Sequence, residues 1–278
     1  MFYRHGALDK LFHDPSSEFR DYTLRIVGHS LGAGCAIVLG FMLRKKYPTL
    51  RCLLYSPPGG LLTWNSATNC KDYVTSFVLD NELVPRLSVE NMEHLRDEVL
   101  ELILRTKVPK IKVAHDFVTT VAASMSKPDW EDFVEDDGGI MYPKGGAPLD
   151  STFARQLVHF KEIQLQRKEH RGREAVHLFP PGKIVHLVKT SEVQSWSNKL
   201  WKCITCCTSN VGFKYTPMYA NNDDFNEIII SPTMGTDHFP DRLCFEIEDI
   251  ARSFGVENVP GSCFEEIFVS PTIDSEVA

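Results

Sequence analysis

Short apolar segments alternate with longer segments that have helical spacing. The short segments lie at residues 23–27, 52–55, 74–79, 183–188 and 227–230, and their length and bounding turn residues predict buried strands. The longer segments are a stretch ending at Lys46, residues 95–104 and residues 241–253, the last followed by a helix-stopping Gly255. Alternation of this kind predicts an α/β fold with a mostly parallel sheet flanked by helices.

Two regions interrupt the alternation. Residues 127–172 are acidic, strongly charged and rich in Gly and Pro, and we interpret them as a mobile surface insertion. Residues 190–224 are polar and are interpreted as a second insertion. We therefore predict one domain over residues 1–255, carrying both insertions, and a C-terminal tail over residues 256–278.

The charge balance argues against a nucleic-acid partner. The 278 residues include 30 Lys and Arg against 37 Asp and Glu, a formal net charge of -7, so no overall basic field would attract phosphate backbones. No apolar run reaches the roughly 18 residues that a transmembrane helix needs, and the first residues lack the pattern of a secretory signal. Eight irregularly placed Cys are typical of reduced intracellular thiols.

The pattern G-x-S-x-G, formed by Gly28, Ser30 and Gly32, follows the first predicted strand and opens a helix. In α/β-hydrolases this pattern is the nucleophile elbow, a strained turn that raises the Ser hydroxyl above the carboxyl edge of the sheet. We expect a Cβ at either glycine to clash where strand and helix approach. Ser30 is therefore the candidate nucleophile of an acyl-transfer reaction.

A serine nucleophile needs a base, and the chain order in this fold is Ser, acid, His. His238 is the candidate base, because it lies just past the strand predicted at 227–230, in a loop that could return over Ser30. The other histidines are assigned structural hydrogen bonding (His29), hydrogen-bonded or packed core roles (His177 and His186) or solvation (His159 and His170).

Two carboxylates are candidates for the acid. Asp80 and Glu82 both follow the strand predicted at 74–79, and either could orient the imidazole. Spacing alone leaves the choice between them open.

Stabilisation of the tetrahedral intermediate needs backbone N–H donors, each worth about 3 kcal/mol in the transition state. The amide of Leu31, directly after the nucleophile, is the predicted first donor. The second donor normally comes from a loop after an earlier strand. The residues before the first predicted strand are typical of helix and turn, so we expect that loop to be missing.

Several sequence blocks together resemble the catalytic domain of the sn-1-specific diacylglycerol lipases, relatives of the class 3 lipases. These blocks are GHSLG, SPPGG, the segment around VPR, and SPTMGTDHFP, spread over most of residues 22–254. The resemblance implies an α/β-hydrolase fold with Ser30 as nucleophile and His238 as base. The family acid is an Asp two residues before Val-Pro, where this chain has Glu82, whose extra methylene moves the carboxylate by about 1.5 Å. We favour Glu82 and keep Asp80 as the alternative.

The resemblance also implies an activity and a location. The chain would hydrolyse the sn-1 ester of diacylglycerol to 2-monoacylglycerol and a fatty acid, and its partners would be diacylglycerol and a membrane lipid surface. Its location would be the cytoplasmic face of the plasma membrane. Family members carry four transmembrane helices and a further strand-loop ahead of this domain, so we expect an N-terminally truncated domain. Residues 127–172 correspond to the family's regulatory loop.

Calcium dependence is a further implication of the resemblance. The acidic run at residues 129–137 lacks the regular ligand spacing of an EF-hand, so we name no calcium ligands. No cofactor is expected to be required for the chemistry itself.

Two alternative functions stay open at this point. A catalytically impaired interaction protein would account for the missing oxyanion loop and for Glu82 at the position of an Asp. A soluble esterase of another substrate class would use the same Ser30 and His238 on a different ester.

Overall fold

A computed structural model describes residues 6–107, 115, 142–143, 152–171, 176–190 and 214–256. The strands are β1 (Arg25–His29), β2 (Arg51–Tyr55), β3 (Val74–Leu79), β4 (Lys183–Thr190) and β5 (Lys214–Ala220). The α-helices are α1 (Ala7–Phe12), α2 (Leu31–Leu43), α3 (Trp64–Asn69), α4 (Val89–Arg105), α5 (Thr152–Arg171) and α6 (Pro240–Ser253). Short 3₁₀ turns cover Val84–Arg86, Asn222–Phe225 and Thr236–His238.

The described strands form one sheet in the order β1-β2-β3-β4-β5. Strands β1 to β4 are parallel, and β5 is antiparallel to β4. His29 pairs with Tyr55, and Tyr55 pairs with Phe77, so β1, β2 and β3 end close to the same edge. This is the mostly parallel α/β sheet that the sequence predicted, and its carboxyl edge is where such sheets place their sites.

Apolar residues cover both faces of the sheet. On one side, Ala33 and Ile37 of α2 pack with Leu54 of β2, and all three are fully buried. Elsewhere, Leu79 of β3 packs in a cluster with Leu243 of α6. Burial of β2 and β3 among these neighbours explains why their sequences are nearly continuous apolar runs.

The prediction of the last strand of the sheet was wrong. Residues 227–230 are not a strand. The carbonyl of Glu227 instead accepts a hydrogen bond from the Arg86 side chain at 3.4 Å. The missed strand is β5, whose residues are mostly polar or aromatic and include Pro217. The first strand was predicted at residues 23–27 and lies two residues later, at Arg25–His29.

The helix predictions are confirmed, except that α2 ends at Leu43 and not at the predicted Lys46. The helix predicted at 95–104 is α4, which begins earlier because the Ser88 hydroxyl accepts a hydrogen bond from the Asn91 N–H at 3.0 Å and caps it. The helix predicted at 241–253 is α6, which begins at Pro240, and Gly255 follows it with a φ of 79°.

The two predicted insertions contain regular structure. Helix α5 lies at the end of the first, so residues 152–171 have regular structure, and the mobility of residues 127–172 stays a prediction. This helix buries Ala154 and Leu157, and the Phe160 ring lies under the guanidinium of Arg96 in α4. The second, residues 190–224, contains β5. The acidic run at 129–137 lies outside the described residues.

No helix within the described ranges combines the length and the apolar character needed to cross a bilayer.

Candidate active site

Ser30 occupies the turn between β1 and α2. Its φ of 55° and ψ of -124° are rare for a residue other than glycine. The Ser30 N–H donates to the Tyr55 carbonyl at 2.9 Å, and the Ser30 carbonyl accepts from the N–H groups of Ala33 and Gly34. These bonds hold the strained backbone that the sequence predicted at this turn.

The two glycines of the turn differ. A Cβ on Gly28 would lie 2.3 Å from the Gly32 carbonyl oxygen and 2.7 Å from the Ala33 nitrogen, both backbone atoms. A Cβ on Gly32 would meet nothing within 4 Å. The predicted clash is therefore confirmed at Gly28 and wrong at Gly32, because β1 passes close to the start of α2 and only a Cβ on the strand residue would point at the backbone of the other element.

His238 lies next to Ser30 although 208 positions separate them in the sequence. It ends a 3₁₀ turn between β5 and α6. The distance from His238 Nε2 to Ser30 Oγ is 2.9 Å, at which the hydroxyl can donate its hydrogen to the imidazole. The sheet edge and this loop therefore bring together the predicted nucleophile and the predicted base.

Glu82 contacts the other nitrogen of the His238 imidazole. Its side chain is fully buried, and its Oε1 lies 2.6 Å from His238 Nδ1. The Nδ1–H donates to the carboxylate, which leaves Nε2 free to accept the Ser30 proton. Buried between protein groups, the carboxylate holds both the tautomer and the orientation of the ring.

Asp80, the alternative acid, lies elsewhere. Its Oδ1 accepts from the backbone N–H of Lys189 at 3.3 Å, and its backbone has a φ of 41°. The turn after β3 therefore places the longer Glu82 side chain, two residues further on, against the imidazole of His238.

Hydrogen bonds connect the turn that carries Glu82 to the loop that carries the imidazole. The Leu83 N–H donates to the Met234 carbonyl at 3.1 Å. Arg86, which is 4% exposed, donates from Nη1 to the carbonyls of Asp224 and Glu227 at 3.3 and 3.4 Å. The acid and the base therefore share a backbone support as well as their own contact.

Asn91 adds to this support, and sequence reasoning missed it together with Arg86. The buried Asn91 amide donates to the Arg86 carbonyl at 2.7 Å and to the Phe225 carbonyl at 3.0 Å. An amide side chain within the first turn of a helix was an available signal, but one of its two partners, Phe225, lies 134 positions away. Helical spacing carries no information about such a contact.

Asp237 precedes the base and is completely buried. Arg242 Nη1 lies 3.1 Å from Asp237 Oδ1, and Arg242 Nη2 donates to the Tyr215 hydroxyl at 2.9 Å. Burial raises the pKa of Asp237 to about 6, and the negative charges of Asp80 and Glu82 also raise it. The ion pair attaches the loop to α6 and, through Tyr215, to β5.

Two of the remaining histidines form hydrogen bonds inside the protein, as predicted. His29 Nε2 donates to the main-chain carbonyl of His238 at 2.9 Å. His186 Nε2 donates to the Asp80 carbonyl at 2.8 Å, and burial lowers the pKa of His186. Neither contacts the Ser30 hydroxyl.

His177 and His159 both have solvent-accessible side chains. His177 has the predicted hydrogen-bonded and packed role, with Nδ1 2.6 Å from Glu90 Oε2 and its ring centroid 4.4 Å from that of Phe179, but its side chain is 37% exposed and lies outside the core. His159 is 73% exposed, as predicted. The side chain of His170 lies outside the described residues.

The first amides of α2 point toward the elbow. Leu31 is the first residue of this helix, where backbone N–H groups have no partner within the helix. Residues 6–24 form α1 and turns, so this described part of the chain contains no strand whose loop could supply a second donor.

Calcium is the metal that the family resemblance implies. Within the described ranges, no group of three or more His, Cys, Asp or Glu side chains is arranged to hold a metal ion. Calcium binding therefore stays a prediction without named ligands.

Comparison with known proteins gives consistent matches. The family model Lipase (class 3) matches residues 5–92, which contain Ser30 and Glu82. Over 253 residues, diacylglycerol lipase-alpha of Rattus norvegicus is 32% identical and that of Homo sapiens is 30% identical, in each case over 91% of this chain. These matches cover 22% and 21% of the relatives.

Diacylglycerol lipase-beta of Mus musculus is 32% identical over 223 residues, which is 80% of this chain and 31% of that protein. The chain therefore spans less than a third of the length of these curated relatives.

Proposed function

We propose that the chain is a serine lipase, from the premise that its residues 5–92 match the class 3 lipase family model and that its relatives of 30–32% identity are diacylglycerol lipases. The proposed reaction is hydrolysis of the sn-1 ester of a diacylglycerol to 2-monoacylglycerol and a free fatty acid. The observation that carries the proposal is the pair of hydrogen bonds that links Ser30 to His238 and His238 to Glu82, at 2.9 and 2.6 Å.

In the acylation step, Ser30 Oγ attacks the carbonyl carbon of the ester while His238 Nε2 takes the hydroxyl proton. The resulting imidazolium lies against the buried carboxylate of Glu82, which stabilises its charge. The tetrahedral oxyanion accepts a hydrogen bond from the Leu31 N–H at the start of α2. Collapse breaks the ester bond, and the imidazolium returns its proton to the departing glycerol oxygen, leaving an acyl-Ser30.

Deacylation repeats the sequence with water. His238 Nε2 removes a proton from water, which attacks the acyl carbonyl, and the proton then passes to Ser30 Oγ as the fatty acid leaves. These steps use side chains, backbone and water, and they require no cofactor.

Apolar surface beside the reacting groups supports a lipid substrate. Leu31, next to the nucleophile, is 77% exposed, and Phe239, next to the base, is 56% exposed. Large apolar side chains in such positions are unfavourable in water and favourable against aggregated lipid. We therefore propose a membrane lipid surface as the physical form of the substrate, at the cytoplasmic face of the plasma membrane.

An open groove also lies at the start of α4. Its volume is about 660 Å³, and Leu87, Val89, Met92 and Leu178 are among its lining residues. A groove lined mainly by apolar side chains suits an alkyl chain better than a polar substituent. We propose it as the surface that receives part of the substrate's acyl chains.

The test measures hydrolysis of a diacylglycerol with a labelled sn-1 acyl chain, presented in phospholipid vesicles, beside hydrolysis of a short, water-soluble ester. We expect release of the labelled fatty acid with 2-monoacylglycerol as the co-product, and faster turnover of the lipid than of the short ester. Ser30→Ala should abolish both activities without changing the melting temperature. Turnover of only the short ester would contradict the lipid assignment, and no turnover of either by the folded protein would contradict hydrolysis.

A further inference from the structure

We propose that His29 is a positioning residue that holds the backbone of His238 against the strand of the nucleophile. The inference rests on the proposed function. Its basis is a double contact: His29 Nε2 lies 2.9 Å from the His238 main-chain oxygen, and the two imidazole rings are 4.8 Å apart between centroids, tilted by 36°.

The direction of the hydrogen bond follows from its acceptor. A carbonyl oxygen cannot donate, so His29 Nε2 carries the hydrogen. His29 is the last residue of β1 and directly precedes Ser30. The bond therefore joins the backbone of the base to the very strand that carries the nucleophile.

The other supports of the base lead to different parts of the molecule. Glu82 holds the imidazole through Nδ1 from the turn after β3, and Asp237 links the loop to Arg242 of α6. Besides the contact between Ser30 Oγ and His238 Nε2, the hydrogen bond and ring contact of His29 link His238 to β1. Their loss would leave the distance between nucleophile and base dependent on elements farther from the elbow.

The hydrogen bond between His29 and the His238 main chain matters most after acylation. In the acyl-enzyme, Ser30 Oγ is esterified and has no hydrogen to donate to His238 Nε2, so the contact present in the free enzyme is lost. His29 still holds the main chain of the base while that base activates water. A displacement on the order of 1 Å can reduce a rate about 100-fold, so deacylation should depend on His29 more than acylation does.

Two substitutions test the N–H donor and the aromatic ring of His29 separately. His29→Gln keeps an N–H donor at the same number of bonds from Cβ, whereas His29→Phe keeps a ring and removes the donor. His29→Leu is a second donor-free variant, in case the phenyl variant does not fold. Pre-steady-state hydrolysis of a chromogenic ester by the whole chain then gives the burst (acylation) and the steady state (deacylation) separately.

We expect His29→Phe and His29→Leu to retain a burst and to lose about 10- to 100-fold in the steady-state rate. His29→Gln should stay within about threefold of the wild type. A second measurement needs no turnover: the downfield proton signal of His238 Nδ1–H, bonded to Glu82, should persist in His29→Gln and broaden or shift in the donor-free variants.

The outcomes distinguish this inference from the proposed function. If the wild type hydrolyses no ester, the proposed function fails, and the proton signal alone decides whether His29 positions the base. Equal deacylation rates and equal proton signals in the Gln, Phe and Leu variants would overturn the inference. A parallel fall of burst, steady state and melting temperature in all variants would also overturn it, because it would indicate a purely structural role.

Discussion

The two halves of the candidate site are built in different ways. The elbow at Ser30 consists of consecutive residues, and its strained turn lies between a strand and the helix that follows it directly. The loop at His238 takes its position from distant segments, since Arg86 lies 138 positions from Asp224 and Glu82 lies 156 positions from the base. One half is local in sequence, and the other depends on the finished sheet.

This difference has a consequence for substitutions. Damage to the elbow should reduce stability, because its backbone is packed into the core between β1 and α2. Damage to the base and acid should reduce the rate first, because their contacts orient reacting groups. Three changes separate these effects, taken here from the largest to the smallest.

The largest effect is expected for Glu82→Gln. An amide in place of the carboxylate can donate to Nδ1 and so favours the wrong imidazole tautomer, and we expect kcat to fall about 10⁴-fold. Glu82→Asp shortens the side chain by one methylene and should cost about 100-fold. Steady-state kinetics with a soluble ester measures both.

Asp80→Asn is the matched control on the same turn, and it should change kcat less than tenfold. A larger loss for Asp80→Asn than for Glu82→Gln would contradict the assignment of the acid.

The second effect concerns the glycines of the elbow. A Cβ at Gly28 overlaps backbone atoms that cannot rotate away, so we expect Gly28→Ala to lower the free energy of unfolding by about 3 kcal/mol or more. Gly32→Ala adds a methyl group in open space within a helix, where alanine is favoured by up to about 1 kcal/mol. Urea unfolding of the two variants gives both values, and similar losses for both would show that the close approach of β1 and α2 is not at Gly28.

The smallest effect is the pH dependence caused by Asp237. Its pKa is about 6 in the folded protein and near 3.8 when unfolded. The folded state therefore binds more protons between these values, and its stability falls as pH rises through them.

Asp237→Asn removes this dependence. We expect the unfolding free energy of the wild type, relative to that of the variant, to fall by about 2 kcal/mol from pH 4 to pH 7. Urea unfolding of both proteins at several pH values measures the difference. A relative stability that rises over this range would mean that Arg242 outweighs burial in setting the pKa.

The same difference explains which parts of the fold and the site could be predicted from the sequence. The β1-turn-α2 unit is encoded by adjacent residues, so the elbow was predicted with Ser30 at its apex, and strand-helix alternation predicted the mostly parallel sheet. Glu82 and Asp80 could not be separated, because the choice depends on where the His238 loop comes to lie. Only the folded chain places Asp80 under Lys189 and Glu82 against the imidazole.

The errors occur where polar contacts replace apolar patterning. The three isoleucines at 228–230 have the composition of a strand, but Arg86 binds the backbone that precedes them. Strand β5 has an edge position, so it tolerates polar residues and Pro217 and gives no strong apolar signal. Arg86, Asn91 and the partner of the predicted His29 hydrogen bond were missed because each depends on a residue remote in sequence.

The central claim is that His238 activates Ser30. The most direct measurement is the rate at which a fluorophosphonate modifies the protein, with the modified residue identified by mass spectrometry. We expect a single modification on Ser30 and a rate at least about 10³-fold lower in His238→Gln, at an unchanged melting temperature. Modification at another residue, or an equal rate in His238→Gln, would contradict this claim.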